Sequence, residues 1–195
     1  MKSVAVWVLV GVCFLGTAFA NPLAEEAKYI RETYNSYAMT EDLHAALAGI
    51  PRLLQEQHSL QERGFDLEPE QQEQLAQYRQ TAKGVKMVLI GFPECGPCHA
   101  LFNLLDSEKG SQCWLEYWEA KGVEFFMVNS RQEQQYGYNP NNLLGVWGVS
   151  SVPTLLLIQD GLPRVRLNGY NPGQAREVLR VLEKEIDHLQ ATSSH

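Results

Sequence analysis

Hydrophobic and polar positions follow two different rhythms along this chain, with the change near residue 85. Before it, apolar residues recur at helical spacing. Leu43, Leu47, Ile50 and Leu54 fall at i, i+4, i+7 and i+11, which is one face of a helix. Thr40 stands where an N-cap would, with Glu41 and Asp42 in the first turn, where free N–H groups favour carboxylates. Pro51 is expected to kink that helix or to start a new one. Gly64 stops the next segment, and Pro69 opens another with Leu75, Tyr78 and Ala82 along one stripe. These stripes are thin. Between Gln55 and Gln80, eight Gln and five Glu fill 13 of 26 positions, so such helices need something else to pack against.

From Val85 onward, short apolar runs alternate with helical stretches. Val85–Phe92, bounded by Gly84 and Pro93, reads as a buried strand. A helix is expected from Gly96 to about Glu108, and a second helical piece carries Trp114, Leu115, Tyr117 and Trp118 as far as Gly122. Val123–Val128 is a second strand, and Pro140–Trp147 a short helix capped by Asn139. Thr154–Gln159 and Arg164–Leu167 are strands joined across Asp160-Gly161, a hairpin dipeptide. A last helix runs from Asn171-Pro172 to about Leu189. The order predicts an α/β fold, a central mixed sheet with helices on both faces, preceded by a helical N-terminal extension. The expected divisions are 1–20, 21–84, 85–190 and a tail, 191–195. The third part has enough elements to be expected to form a core by itself.

Residues 1–20 are read as a segment removed before folding. Lys2 precedes the apolar run Val4–Leu15, and Ala18-Phe19-Ala20 has the small-x-small pattern of a signal-peptidase site. The expected location is periplasmic or otherwise extracytoplasmic. The alternative is a chain anchored to the inner membrane by residues 3–20, an uncharged stretch near the lower spanning length. Contact with a membrane is expected only in that case.

Charge removes other partner classes. Lys plus Arg number 16 against 23 Asp plus Glu, a formal charge of −7, and no basic run occurs. Such a chain has no electrostatic reason to bind nucleic acid. The four cysteines are too few to staple a small scaffold. Cys13 leaves with the signal, and Cys95, Cys98 and Cys113 remain.

Cys95-Gly96-Pro97-Cys98 carries the candidate chemistry. The pair follows a buried strand and opens a helix, and two intervening residues in a first turn bring the sulfurs within disulfide reach. The helix N-terminus turns its N–H groups toward the first sulfur and favours its thiolate. Gly96 and Pro97 form the active-site turn, where Pro97 fixes φ and lacks an N–H that would go unpaired. Cys95 is then the exposed attacking sulfur and Cys98 the shielded resolving one. A structural disulfide or half of a zinc site are the competing readings. A zinc site needs two more ligands, and only His99 and Cys113 are near. No metal or organic cofactor is expected. Cys113 reads as a buried small hydrophobe or a regulatory thiol; Trp114, Tyr117 and Trp118 read as core.

Phe92-Pro93-Glu94-Cys95-Gly96-Pro97-Cys98 resembles the thioredoxin active site. Trp147-Gly148-Val149-Ser150-Ser151-Val152-Pro153-Thr154, with the residues up to Gly161, is similar to the thioredoxin segment that carries a cis-proline and the hairpin after it. The resemblance covers roughly Val85–Leu189. It implies a thioredoxin fold, a cis Val152–Pro153 bond opposite the cysteines, and a Val152 backbone that pairs with a bound substrate chain. Gly169 fits the substrate groove of that family. Two positions depart from the pattern: Leu89 stands where thioredoxins carry a buried Asp, and Glu94 where they carry a Trp. Glu94 and His99 are therefore candidate modulators of the Cys95 thiol. The implied activity is thiol–disulfide exchange with protein thiols and disulfides, served by a redox partner protein, in either direction. A thioredoxin-fold assembly or binding module, docking a secretion, conjugation or cytochrome-maturation system through residues 21–84, is the alternative. A copper-delivery protein using the two cysteines lacks the distal His that such proteins add.

Overall fold

The computed structural model of the protein describes residues 22–135 and 142–193. The expected signal segment 1–20, the Asn139 cap and the start of the Pro140 helix lie outside them, as does the end of the tail. Three helices come first: α1 (Pro22–Ser36), α2 (Glu41–Gln61) and α3 (Pro69–Thr81). Thr40 caps α2, its hydroxyl accepting from the Leu43 N–H at 3.3 Å. α2 runs without a break through Pro51, so the proline neither ends it nor starts another. Pro69 opens α3 behind a capping box formed by Glu68 and Gln71.

The sheet follows. β1 (Val85–Gly91) leads into α4 (Gly96–Leu105), a two-stranded ribbon of β2 (Glu108–Lys109) and β3 (Gln112–Cys113), then α5 (Trp114–Glu119) and β4 (Val123–Asn129). After α6 (Ser130–Gln135) and α7 (Leu143–Val146) come β5 (Thr154–Gln159), β6 (Leu162–Asn168) and α8 (Ala175–Ser193). The strand order is β4-β1-β5-β6. β4 lies parallel to β1, whereas β5 and β6 are antiparallel to their neighbours. This is the mixed sheet with helices on both faces that the sequence predicts, and it is a thioredoxin fold.

Local boundaries differ for local reasons. α4 stops at Leu105 instead of Glu108 because Glu108–Lys109 pairs with Gln112–Cys113 around Gly110, whose φ is +71°. α7 is capped by Asn142, whose side chain accepts from the Leu144 and Gly145 N–H groups. A 3₁₀ turn over Pro172–Gln174 precedes α8. Asp160 and Gly161, at φ +51° and +82°, form the hairpin turn.

Every position of β1 is buried, so its alternation divides two cores. Met87 and Leu89, with Leu155 and Leu157 of β5, face Leu101 and Leu105 of α4, Trp118 of α5, and Leu182 and Ile186 of α8. Val88 and Ile90, with Leu156 and Ile158, face the other way. That second face is covered in part by helices that precede the sheet. Leu43, Leu47, Ile50 and Leu53 of α2 and Leu75 of α3 supply much of the cluster, alongside Leu143 and Trp147. α1 enters the first core, where Tyr34 is buried. The Tyr37 carbonyl, just after α1, accepts from the Met127 N–H of β4 at 2.9 Å. The thin stripes therefore find their partner in the sheet.

Candidate active site

The antiparallel register of β1 and β5 ends with Ile90 opposite Thr154. The chain beyond Ile90 and the chain before Thr154 thus emerge side by side at one end of the sheet. The first becomes Gly91–Cys98, the second Ser150–Pro153, and the Val152–Pro153 peptide is cis. A groove of about 260 Å³ runs between them, with Phe92 and Arg131 on one wall and Ser150, Ser151 and Val152 on the other.

Cys95 and Cys98 are joined in a disulfide with a Cα–Cα distance of 5.2 Å. Cys95 is the N-cap of α4. Its sulfur accepts from the Cys98 N–H at 3.2 Å, so a helix-opening donor already points at the atom that would carry charge after reduction. Gly96 and Pro97 are exposed in the first turn. Cys95 is 6% exposed and Cys98 1%; both are buried, Cys98 the more deeply, so in the disulfide form Cys95 is not the exposed sulfur that the sequence predicts.

The neighbourhood explains both departures from the thioredoxin pattern. Glu94 does not turn to the cysteine; its carboxylate pairs with Arg131 at 2.6 Å, and that guanidinium lies over the Phe92 ring. The pair is largely exposed and therefore screened. Leu89 is fully buried within the first core. His99, half-buried, has its Nε2 enclosed without a hydrogen-bond partner among the described residues. It lines a cavity of about 100 Å³ together with Tyr29, Ile30 and Tyr34 of α1. Burial, and secondarily the Glu94 charge, push the Tyr34 phenol well above its usual value.

Other residues hold the cis loop. Arg166 of β6 donates to the carbonyls of Trp147 and Gly148. The Thr154 hydroxyl donates to Ser151 O at 2.7 Å, and the Gly169 N–H donates to Pro153 O at 2.7 Å. Gly169 thus supports the cis-proline from below. Cys113 stays free and caps α5, its sulfur accepting from the Glu116 N–H at 3.4 Å. Among the described residues, no group of three or more His, Cys, Asp or Glu is placed to hold a metal. Sequence reasoning missed Arg131, Arg166 and Tyr34. Each reaches the site across the fold, which no local pattern announces.

A dithiol at a helix N-terminus, reversible in principle and set at the end of a mixed sheet, defines a thiol–disulfide oxidoreductase. Comparison with known proteins finds thioredoxins. The chain is 29% identical over 104 residues to a thioredoxin of Alicyclobacillus acidocaldarius subsp. acidocaldarius, covering 52% of this chain and 86% of that one. It is also similar to the solved thioredoxin of Fasciola hepatica, at 23% identity and a TM-score of 0.37, over 57% of this chain and 90% of that one. Mitochondrial thioredoxin 3 of Saccharomyces cerevisiae, in its oxidised form, aligns at 17% identity with the same TM-score, over 54% and 88% of the two chains. No family model matches the chain. In its fold and its Cys95–Cys98 disulfide, as in this alignment, the chain is similar to thioredoxins.

Proposed function

We propose that the protein is an extracytoplasmic oxidoreductase acting on protein disulfides through Cys95 and Cys98. The carrying observation is the position of Cys95 as the N-cap of α4, with the Cys98 N–H directed at its sulfur. In the reducing direction, the Cys95 thiolate attacks a substrate disulfide and releases one substrate thiolate. The Cys98 thiolate then attacks the Cys95 sulfur, the mixed disulfide breaks, and the second substrate thiolate leaves. Two electrons pass from the dithiol to the substrate, and water supplies the protons that the leaving thiolates take up. The oxidising direction is the same sequence reversed.

In this reading the Val152 backbone beside the groove pairs with the substrate chain, and Pro153 keeps that edge in place. Glu94 and His99 tune the dithiol only indirectly, since Glu94 is already paired with Arg131. Export rests on the Lys2, Val4–Leu15 and Ala18-Phe19-Ala20 pattern. Among the described residues no helix is long and apolar enough to cross a membrane. Insulin reduction by the wild-type protein, compared with Cys95→Ser, tests the proposal. Turnover in the first and none in the second is expected; equal rates would exclude Cys95 as the nucleophile.

A further inference from the structure

The Tyr34 hydroxyl is a buried polar atom with no described partner, and it lies behind the dithiol. Tyr34 is 6% exposed, packed among the residues of the first core, and its oxygen makes no hydrogen bond. A Cβ built on Gly91 would stand 2.7 Å from the Tyr34 hydroxyl oxygen and 2.7 Å from the Cys98 sulfur. The two atoms are therefore no more than twice that distance apart, on the same side of a residue that has no side chain to separate them. An enclosed hydroxyl left unpaired is destabilising, so its placement calls for a partner in another state of the protein.

Reduction creates that partner. When the disulfide opens, Cys98 gains a lone pair and a negative charge in the course of the reaction, at a residue only 1% exposed. A buried thiolate with no donor is strongly disfavoured. We propose that the Tyr34 hydroxyl of α1 donates a hydrogen bond to the Cys98 sulfur of the open dithiol and so stabilises the thiolate that resolves the mixed disulfide. This rests on the oxidoreductase reading and names the residue that serves its second step. The phenol is suited to the task because burial keeps it protonated: it remains a donor across the working pH range. It does not take the thiol proton, which leaves for water.

Other titrating groups face the same place. Tyr29 and His99 line the cavity beside Tyr34, and Arg31, Glu94 and Arg131 line the next groove. The test must separate them. With Cys13, Cys95 and Cys113 replaced by Ser in the full chain, Cys98 is the sole thiol, and its titration can be followed by thiolate absorbance. Tyr34→Phe should raise that titration by about one pH unit, tenfold less thiolate at a given lower pH. His99→Gln should not produce that rise. With Cys95 and Cys98 both present, reduction of a small aromatic disulfide gives a second readout. Tyr34→Phe should leave release of the first thiol unchanged and slow the second about threefold. The loss is less than tenfold because a more basic thiolate is a better nucleophile.

A Cys98 titration that does not move in a folded Tyr34→Phe chain overturns the proposal. So does a shift produced by His99→Gln and not by Tyr34→Phe. A Tyr34→Phe chain that fails to fold overturns it as well, since the hydroxyl would then be structural. The two readings fail separately. A wild-type protein inert toward insulin, with the Cys98 shift present, sinks the oxidoreductase and keeps the hydrogen bond; an active protein without the shift does the reverse.

Discussion

Gly91 closes β1 with a hydrogen where any other residue would place a methyl group against Cys98 and Tyr34 at once. Neither neighbour can yield easily, since one sulfur is tied in a disulfide and the ring is held in the core. Gly91→Ala is therefore expected to cost about 1–3 kcal/mol through overpacking. A thermal melt of the oxidised protein measures this, and an unchanged midpoint would mean that the backbone relaxes there freely. At this scale the cysteines and the X–Pro bond were legible because their chemistry is tied to a fixed local spacing. Tyr34 and Arg166 were not. A tyrosine in a polar helix or an arginine in an edge strand acquires its meaning only from what the fold brings opposite it.

Between elements, the hairpin turn shows how the helices before the sheet are locked to it. A Cβ on Gly161 would lie 2.3 Å from Ile50 Cδ1 of α2 and 3.3 Å from Ala82. The neighbouring Asp160 carboxylate accepts from the Gly84 N–H at 2.9 Å, just before β1. Gly161→Ala adds a left-handed strain of about 1–2 kcal/mol to that clash. A total near 2 kcal/mol should lower the unfolding midpoint by roughly 4–8 °C in a chain of this size. Calorimetry decides it; a midpoint within a degree of wild type would uncouple α2 from the turn. Periodicity located α2, α3, β1, β4 and β5 well, since each carries a clear apolar stripe or run. It overran α4 because Glu108 and Lys109 are good helix formers, and only pairing with Gln112 and Cys113 makes them a ribbon. α6, with the sequence Ser-Arg-Gln-Glu-Gln-Gln, has no apolar periodicity to find.

At the scale of the whole molecule, the sequence suggested an appendage and a domain, and the structure has shared cores. Val88, Ile90, Leu156 and Ile158 are each fully buried beneath Leu43, Leu47, Ile50 and Leu53. A fragment beginning near Lys83 would put that sheet face in water, at a cost of about 1.5–3 kcal/mol for each large side chain uncovered. For the four residues together this is comparable to the whole stability that a domain of about 110 residues ordinarily holds. The fragment is expected to lack a cooperative thermal transition, whereas the chain from Asn21 has one; a cooperative melt of the fragment would restore the two-part reading. The change of composition near residue 85 was visible in the sequence. It marks a change of element type, and a thin apolar stripe does not say on which surface it will lie.

The Tyr37 carbonyl that meets Met127 has a bearing on how copies of this protein behave beside one another. β4 is an outer strand of the sheet, and an open row of amide groups there would invite a second chain to continue the ladder. The segment that follows α1 already takes the Met127 donor at the middle of that row. At the opposite border, β6 carries Pro163, the charges of Arg164 and Arg166, and a register shift against Leu157 and Ile158 of β5. Pairing stops on both sides. Loss of the N-terminal helix would bare one border, so truncated or proteolysed molecules should stack into aggregates through β4 while intact ones do not.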